Sequence, residues 1–276
     1  MSTIQRLEAF DAFYDAVHRH VVAEVLQPAP EMKVLDVGCG AGGMSVLLAQ
    51  AVTCGVVVAL DPNAAHLHTT RMRAQQGGCA QRIVCLLGHV EKLDFLASEF
   101  DLIWCSRVIH HHLPDPHGAL SELYRVLKPG KRVFLREHAN TDLRVVTTIA
   151  AADAEFWQRL CNAQQQWFQS KFKHRRPTSD EWLTALTQVG FRDAKTMHLE
   201  YTPARPRAQV IYLRQWLETV LEDHASPEYG DLLNPSDLLT AQLVAAYLDR
   251  ASQESDDDAT HHHQVIVSTD ICVAVK

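Results

Sequence analysis

Apolar positions along the chain change their spacing several times, and each change marks a region. From residue 4 to 26 they fall at Ile4, Leu7, Phe10, Phe13, Tyr14, Val17, Val21, Val22, Val25 and Leu26, the spacing of a helix, until Pro28 and Pro30 break it. Five short, almost wholly apolar runs follow, at 33–37, 55–60, 82–87, 100–105 and 132–136. Between them lie stretches of helical tendency near 43–52, 63–76, 91–97 and 116–127. Strands that are apolar throughout belong in a sheet covered on both faces. Their alternation with helices predicts a parallel sheet with right-handed crossovers and helices on both sides.

Beyond residue 138 the pattern differs. Residues 139–176 have helical tendency, carry no strand signal and are rich in Gln and aromatics. Pro177-Thr178-Ser179-Asp180 reads as the start of a helix over 181–189, which Gly190 ends. Residues 191–201 read as a strand and 206–250 as helical. A polar loop at 252–263 then leads to a last strand over 264–275. His261-His262-His263 beside Asp256-Asp257-Asp258 reads as a solvated loop, with weak metal binding as the alternative.

Composition narrows the partners. The formal net charge of −7 over 276 residues argues against nucleic acid, whose binders present a basic face. The seven cysteines form no C-x-x-C pair, which favours buried free thiols in a reducing compartment over a zinc site. No run approaches the ~20 apolar residues that span a bilayer, and the first residues lack the apolar core of a signal peptide. A cytoplasmic protein with no membrane contact is expected.

The chemistry concentrates where the first strand ends. Residues 34–43 read Val34-Leu35-Asp36-Val37-Gly38-Cys39-Gly40-Ala41-Gly42-Gly43, a strand entering a glycine-rich turn that opens a helix. The glycines let the backbone approach a ligand, and Gly38, Gly40 and Gly43 also fit the dinucleotide fingerprint G-x-G-x-x-G. Asp36 separates the two readings. A carboxylate there repels a pyrophosphate but suits S-adenosylmethionine, which has an ammonium, a cationic sulfur and no phosphate. Asp61, at the end of the second strand, can accept from ribose hydroxyls and fits either ligand.

The run V-L-D-V-G-C-G-A-G at 34–42, Leu60-Asp61, and L-x-E-L-x-R-V-L-K-P-G at 120–130 together resemble the class I S-adenosylmethionine-dependent methyltransferase family, in its ubiquinone/menaquinone C-methyltransferase-like branch. The resemblance covers about 30–138 closely. It implies a Rossmann-like α/β fold, a doubly wound, seven-stranded, mostly parallel sheet whose last strand is antiparallel. A single domain over 1–276 is expected, with 1–27, 139–176 and 206–250 as a helical lid. By position, Asp36, Gly38, Cys39, Gly40 and Gly42 would line the methionine half of the cofactor. Asp61 would hold the ribose, with Pro62 and Asn63 beside the adenine and His89 and Val90 at its edge. Cys105 would reach the methionine amino group through its backbone, and Tyr14 would cover the cofactor. The family commonly has Asp where His89 stands, and only a neutral His89 ring can accept from the adenine amine.

Several residues keep two readings. His110, in the His110-His111-His112 run, serves either helix entry or the acceptor pocket; three adjacent residues cannot all face one metal. His138, after Glu137 at the end of the fifth strand, is either a general base or a structural hydrogen-bonding group. Arg107, Arg136 and Arg144 either bind a substrate carboxylate or are solvated. Trp157, Trp167, Phe168, Trp182 and Trp216 are core residues or walls of the acceptor pocket. The expected activity is methylation of a small-molecule oxygen or nitrogen acceptor, leaving S-adenosylhomocysteine and needing no metal. The alternative is a protein of the same fold that uses the cofactor for cyclisation or elimination, or acts as a binding subunit. A homodimer is compatible with either.

Overall fold

The computed structural model describes residues 3–112, 115–137, 143–147, 154–172, 177–201, 206–224, 233–251 and 263–276. The strands are β1 (Lys33–Val37), β2 (Val56–Asp61), β3 (Ile83–Leu87), β4 (Phe100–Ser106), β5 (Leu127–Arg136), β6 (Leu143–Thr147), β7 (Arg192–Tyr201) and β8 (His263–Val275). The helices are α1 (Thr3–His20), α2 (Gly43–Ala51), α3 (Ala64–Gln76), α4 (His117–Val126), α5 (Ala154–Phe172), α6 (Ser179–Val189), α7 (Pro206–His224) and α8 (Pro235–Ala251). The first five strands pair in parallel in the order β3-β2-β1-β4-β5. β8 runs antiparallel to β5 along one edge and to β7 along the other, which gives the expected doubly wound sheet with an antiparallel last strand.

Side chains alternate across each strand, and that period of two divides the interior into two cores. Val34, Val57, Leu102, Phe134 and Val273 enter a core shared with α1, α2, α5, α7 and α8. Leu35, Val58, Ile103, Leu135 and Cys272 enter the other, under α4 and α6. Trp157 and Trp182 are core residues of the first and second, each about 2% exposed. Trp216 packs near Trp157, with ring centroids 6.2 Å apart. Two residues beyond Val34 and Phe134 the same alternation brings Asp36 and Arg136 to the α1 side of the sheet, at the strand ends.

Helix ends are set locally. Thr178 and Glu181 form a capping box at the start of α6, and Gly190 closes it with φ +113°. After α1 the chain makes one π-helical turn, Val21–Leu26, and stops at Gln27, whose N–H reaches the Val22 carbonyl and whose φ is +45°.

Two expectations are corrected. The segment 139–176 is not helical throughout, because Leu143–Thr147 pairs with Val267–His263 of β8 as an eighth strand on the edge that β5 occupies farther along. Residues 91–97 form no helix. The side chains of α4 take their backbone groups instead: Glu122 accepts from the Leu93 N–H at 2.8 Å, and Arg125 donates to the Leu93 and Phe95 carbonyls, both at 2.7 Å. Glu122 and Arg125 also pair with each other. Val84, Leu86 and Leu87 of the edge strand β3 are exposed.

Replacing Arg125 with Met removes the donors to both carbonyls. Arg125→Met is expected to lower stability by about 1–2 kcal/mol. Denaturant unfolding would show the loss, and amide exchange at Leu93 should quicken because Glu122 loses its partner.

Candidate functional site

The loop between β1 and α2 is bound to its own protein at almost every amide. The N–H groups of Gly38 and Cys39 both donate to the Leu60 carbonyl, at 2.8 and 3.0 Å. Gly40 N–H donates to Asp61 Oδ2 at 2.9 Å, and Gly42 N–H to the Cys39 carbonyl at 2.9 Å. Gly43 N–H, the first of α2, donates to Asp11 Oδ2 on α1 at 3.0 Å. The loop carbonyls are held from α3: Thr70 Oγ1 donates to Gly40 at 3.1 Å and Arg73 to Ala41 at 3.1 Å. A phosphate site needs backbone N–H groups aimed at the ligand. Here the amides of Gly38, Cys39, Gly40, Gly42 and Gly43 are used internally.

Close approach explains two of the glycines. Gly38 has φ +68°, and a Cβ there would collide with Val108 Cγ2. Gly42 has φ +84°, and a Cβ would lie 2.7 Å from Thr70 Cγ2 and Oγ1.

Carboxylates surround the loop. Asp36 is 2% exposed, and Ser45 Oγ donates to it at 2.5 Å. Burial raises the Asp36 carboxyl to about 7 against the Ser45 bond, with Asp11 and Asp61 adding to the rise. Asp61 is 5% exposed; it accepts from Gly40 N–H, from Asn63 N–H at 2.8 Å, and pairs with His66 Nδ1 at 3.0 Å. Asp11 forms an ion pair with Arg73, and burial still raises its carboxyl. Asp11 and its Arg73 contact hold α1 against the glycine loop, with Leu7 reaching 3.6 Å from the Cβ position of Gly40.

The remaining expected contacts lie around this centre. Gly88 N–H donates to the Asp61 carbonyl, so His89 and Val90 follow beside the end of β2, His89 exposed and Val90 buried. Pro62 is exposed, and Asn63 caps α3 by accepting from Ala65 N–H at 2.9 Å. Cys39 and Cys105 are buried. Tyr14, 1% exposed, packs among Phe10, Phe13, His18, Tyr201 and Tyr212. His138 lies outside the described residues, as do the side chains of Trp167 and Phe168. Among the described residues no group of three His, Cys, Asp or Glu is placed to hold a metal.

The neighbour of His138 is the organising group that sequence reasoning passed over. Glu137, 5% exposed, accepts from the N–H groups of Val108, Ile109 and His110 at 2.9, 3.1 and 3.3 Å. It also takes a weak bond from Cys105 Sγ at 3.7 Å and pairs with His110 Nδ1 at 2.7 Å. Burial by itself would raise the Glu137 carboxyl, but the His110 ring and these amides outweigh it and hold the group below its ordinary value. Its signal in the sequence is the one Asp36 and Asp61 share, a carboxylate at the end of an apolar strand. Asp11, Thr70 and Arg73 had no such local signal.

The order β3-β2-β1-β4-β5-β8-β7, with a glycine loop after β1 and acids near the ends of β1 and β2, is a Rossmann-like α/β fold. Residues 34–130 match the family described as "Methyltransferase domain". Sterol 24-C-methyltransferase of Debaryomyces hansenii is 32% identical over 134 residues, 48% of this chain and 35% of that protein. Demethylmenaquinone methyltransferase of Lactiplantibacillus plantarum is 32% identical over 136 residues, 48% of this chain and 57% of that protein. The matched stretch thus spans between a third and little more than half of these relatives. In structure, the YcgJ protein of Bacillus subtilis aligns over 95% of this chain and 99% of its own, at TM-score 0.55 and 16% identity. Phosphoethanolamine N-methyltransferase 2 of Haemonchus contortus, in complex with S-adenosyl-L-methionine, aligns over 98% of this chain and 57% of its own, at TM-score 0.54 and 17% identity. These likenesses establish the fold.

The raised Asp36 carboxyl has a definite sign in stability. The unfolded chain ionises this group near 3.8 and the native chain near 7. The native state therefore holds its proton longer, and stability falls as pH rises from about 4 to about 7, then levels. Asp36→Asn lacks this dependence. The difference between variant and wild-type stability is expected to move in the variant's favour across that window and stay flat above it, as read by denaturant unfolding at each pH.

Proposed function

We propose that this chain is an S-adenosylmethionine-dependent methyltransferase acting on an oxygen or nitrogen atom of a small molecule. One observation carries the reading: a glycine loop whose amides are closed to phosphate, set between the carboxylates Asp36 and Asp61. Such a site suits a ligand that brings an ammonium and a sulfonium. The two curated relatives, both named methyltransferases, support the methyl transfer and say nothing for an oxygen or nitrogen acceptor.

The residues present fit the cofactor. A carboxylate offers about four acceptor positions, and Asp61 uses three of them on Gly40, Asn63 and His66. Asp61 would hold the ribose hydroxyls, one at the last position and a second if it replaced His66. Val90 gives an apolar edge for the adenine, with Pro62 and the exposed His89 beside it. When bound, the cofactor supplies a methyl group on a good leaving group. The chain then has to align the acceptor, exclude water and take up a proton.

His110 is suited to the proton. Glu137 holds its Nδ1, which places the ring hydrogen on that nitrogen and makes Nε2 the basic one. Three backbone amides and a thiol fix Glu137 in turn, so the imidazole is held in place beside the strand end. A base of this kind serves a hydroxyl or a protonated amine, which favours an oxygen or nitrogen acceptor.

Asp61→Ala is expected to weaken S-adenosylhomocysteine binding 10- to 100-fold in calorimetry, the loss of about 1.5–3 kcal/mol of charge-assisted hydrogen bonding. The circular dichroism should be unchanged, and wild-type affinity would refute the ribose assignment. His110→Ala should leave that binding intact. With acceptors found by a screen for S-adenosylhomocysteine release, it should lower kcat by about 10²–10⁴. Undiminished kcat would remove His110 from the chemistry.

A further inference from the structure

Arg136 ends β5 on the α1 side of the sheet and is 2% exposed. Its Nε donates to Thr269 Oγ1 at 3.2 Å, while both terminal nitrogens are buried without a hydrogen-bond partner among the described residues. The guanidinium lies over the Tyr14 ring at 4.4 Å and near the Phe10 ring at 5.7 Å. Arg107 approaches the same Phe10 ring at 4.5 Å and is itself exposed, so the two cations run from the surface to the interior. Arg107 N–H donates to the Arg136 carbonyl at 3.1 Å, and the backbone at Arg107 has φ +61°.

Among the described residues, the groups that face Arg136 offer it no negative charge. From α1 they are Phe10, Tyr14 and His18, from β7 Tyr201, from α7 Tyr212, and from β8 Thr269. Burial, with Arg136 itself adding, lowers His18 to about 3, so it is a neutral ring stacked on Tyr14. Burial and the neighbouring Tyr14 phenol raise Tyr201 and Tyr212, which keep their protons. The adjacent carboxylate, Glu137, is committed to His110 and the turn after β4. A buried guanidinium is costly unless an anion meets it. Stacking on a ring leaves its N–H edge open for two parallel bonds to an oxyanion.

We propose that Arg136, assisted by Arg107, is a binding subsite for an anionic oxygen group of the methyl acceptor, a carboxylate or a phosphate. The inference rests on the methyltransferase reading and narrows its substrate to acidic small molecules. The subsite lies at the end of β5, next to β4, whose exit carries His110. Phe10 and Tyr14 of α1 cover the guanidinium.

The test uses the whole chain saturated with S-adenosylhomocysteine, titrated calorimetrically with octanoate, octyl phosphate and octanol. At least one anion should bind ten times more tightly than octanol, and whichever binds distinguishes a carboxylate from a phosphate acceptor. Arg136→Gln should abolish that preference and Arg107→Gln should reduce it several-fold, with S-adenosylhomocysteine affinity unchanged in both. Should Arg136→Gln fail to fold, the exposed Arg107→Gln decides. The inference is overturned if neither anion outbinds octanol, or if both variants keep the preference. A parallel loss of S-adenosylhomocysteine affinity also overturns it, because the arginines would then serve the cofactor. A wild-type chain that binds no S-adenosylhomocysteine would overturn the methyltransferase reading and this inference together, whereas normal cofactor-product binding without anion binding overturns the inference alone.

Discussion

The hydrogen bonds that tie the glycine loop back to β2 are the constraint on which the rest of the site depends. Two amides share the Leu60 carbonyl and a third goes to the Asp61 carboxylate, so the turn after β1 is fixed by the strand beside it. This uses the donors that would otherwise cradle a phosphate. It also sets one oxygen of Asp61 in place and leaves limited acceptor capacity for a ligand. The glycine at 38 follows from the same closeness, since Val108 stands where a side chain would go. A loop that resembles a dinucleotide fingerprint in spelling is thereby the opposite of one in electrostatics: its amides are spent inward and its surroundings are acidic.

The alternation of side chains along the strands distributes the chemistry. Asp36 and Arg136 emerge toward α1, while Glu137, one residue on, turns to the other side and organises the exit of β4. Adjacent residues at the end of β5 therefore carry opposite charges to different places. The acids at the ends of β1 and β2 suit a cation, and the buried arginine at the end of β5 suits an anion. That polarity runs across the strand ends, and under the proposals above it would give a cationic cofactor and an acidic acceptor separate addresses. α1 touches both: Asp11 meets the glycine loop, and Phe10 and Tyr14 cover Arg136.

Much of the fold was legible because each core strand is apolar on both faces and each is bounded by a turn. The start and end of α6 were legible because a capping box and a left-handed glycine are local signals. β6 was not, since its strand character comes from pairing with the far half of β8, more than a hundred residues away. The loop at 91–97 was misread as a helix because its spacing is helical, while the side chains that win its backbone groups belong to α4. Glu122 and Arg125 were visible as part of a family motif, but their task shows only in three dimensions. In the site, Asp36 and Asp61 were readable from their place at strand ends. The Asp61–His66 pair and the clasp of Asp11 on Gly43 were not, because His66 and Asp11 carry no sequence mark of their own. Arg136 was noticed in sequence, but only its burial separates a binding group from a solvated one.

The central claim is that this glycine loop accepts a phosphate-free ligand bearing an ammonium and rejects a dinucleotide. Parallel calorimetric titration of the chain with S-adenosylhomocysteine and with NAD at the same ionic strength tests it most directly. The account expects saturable one-to-one binding of S-adenosylhomocysteine and no heat from NAD. Binding of NAD with comparable affinity would contradict it.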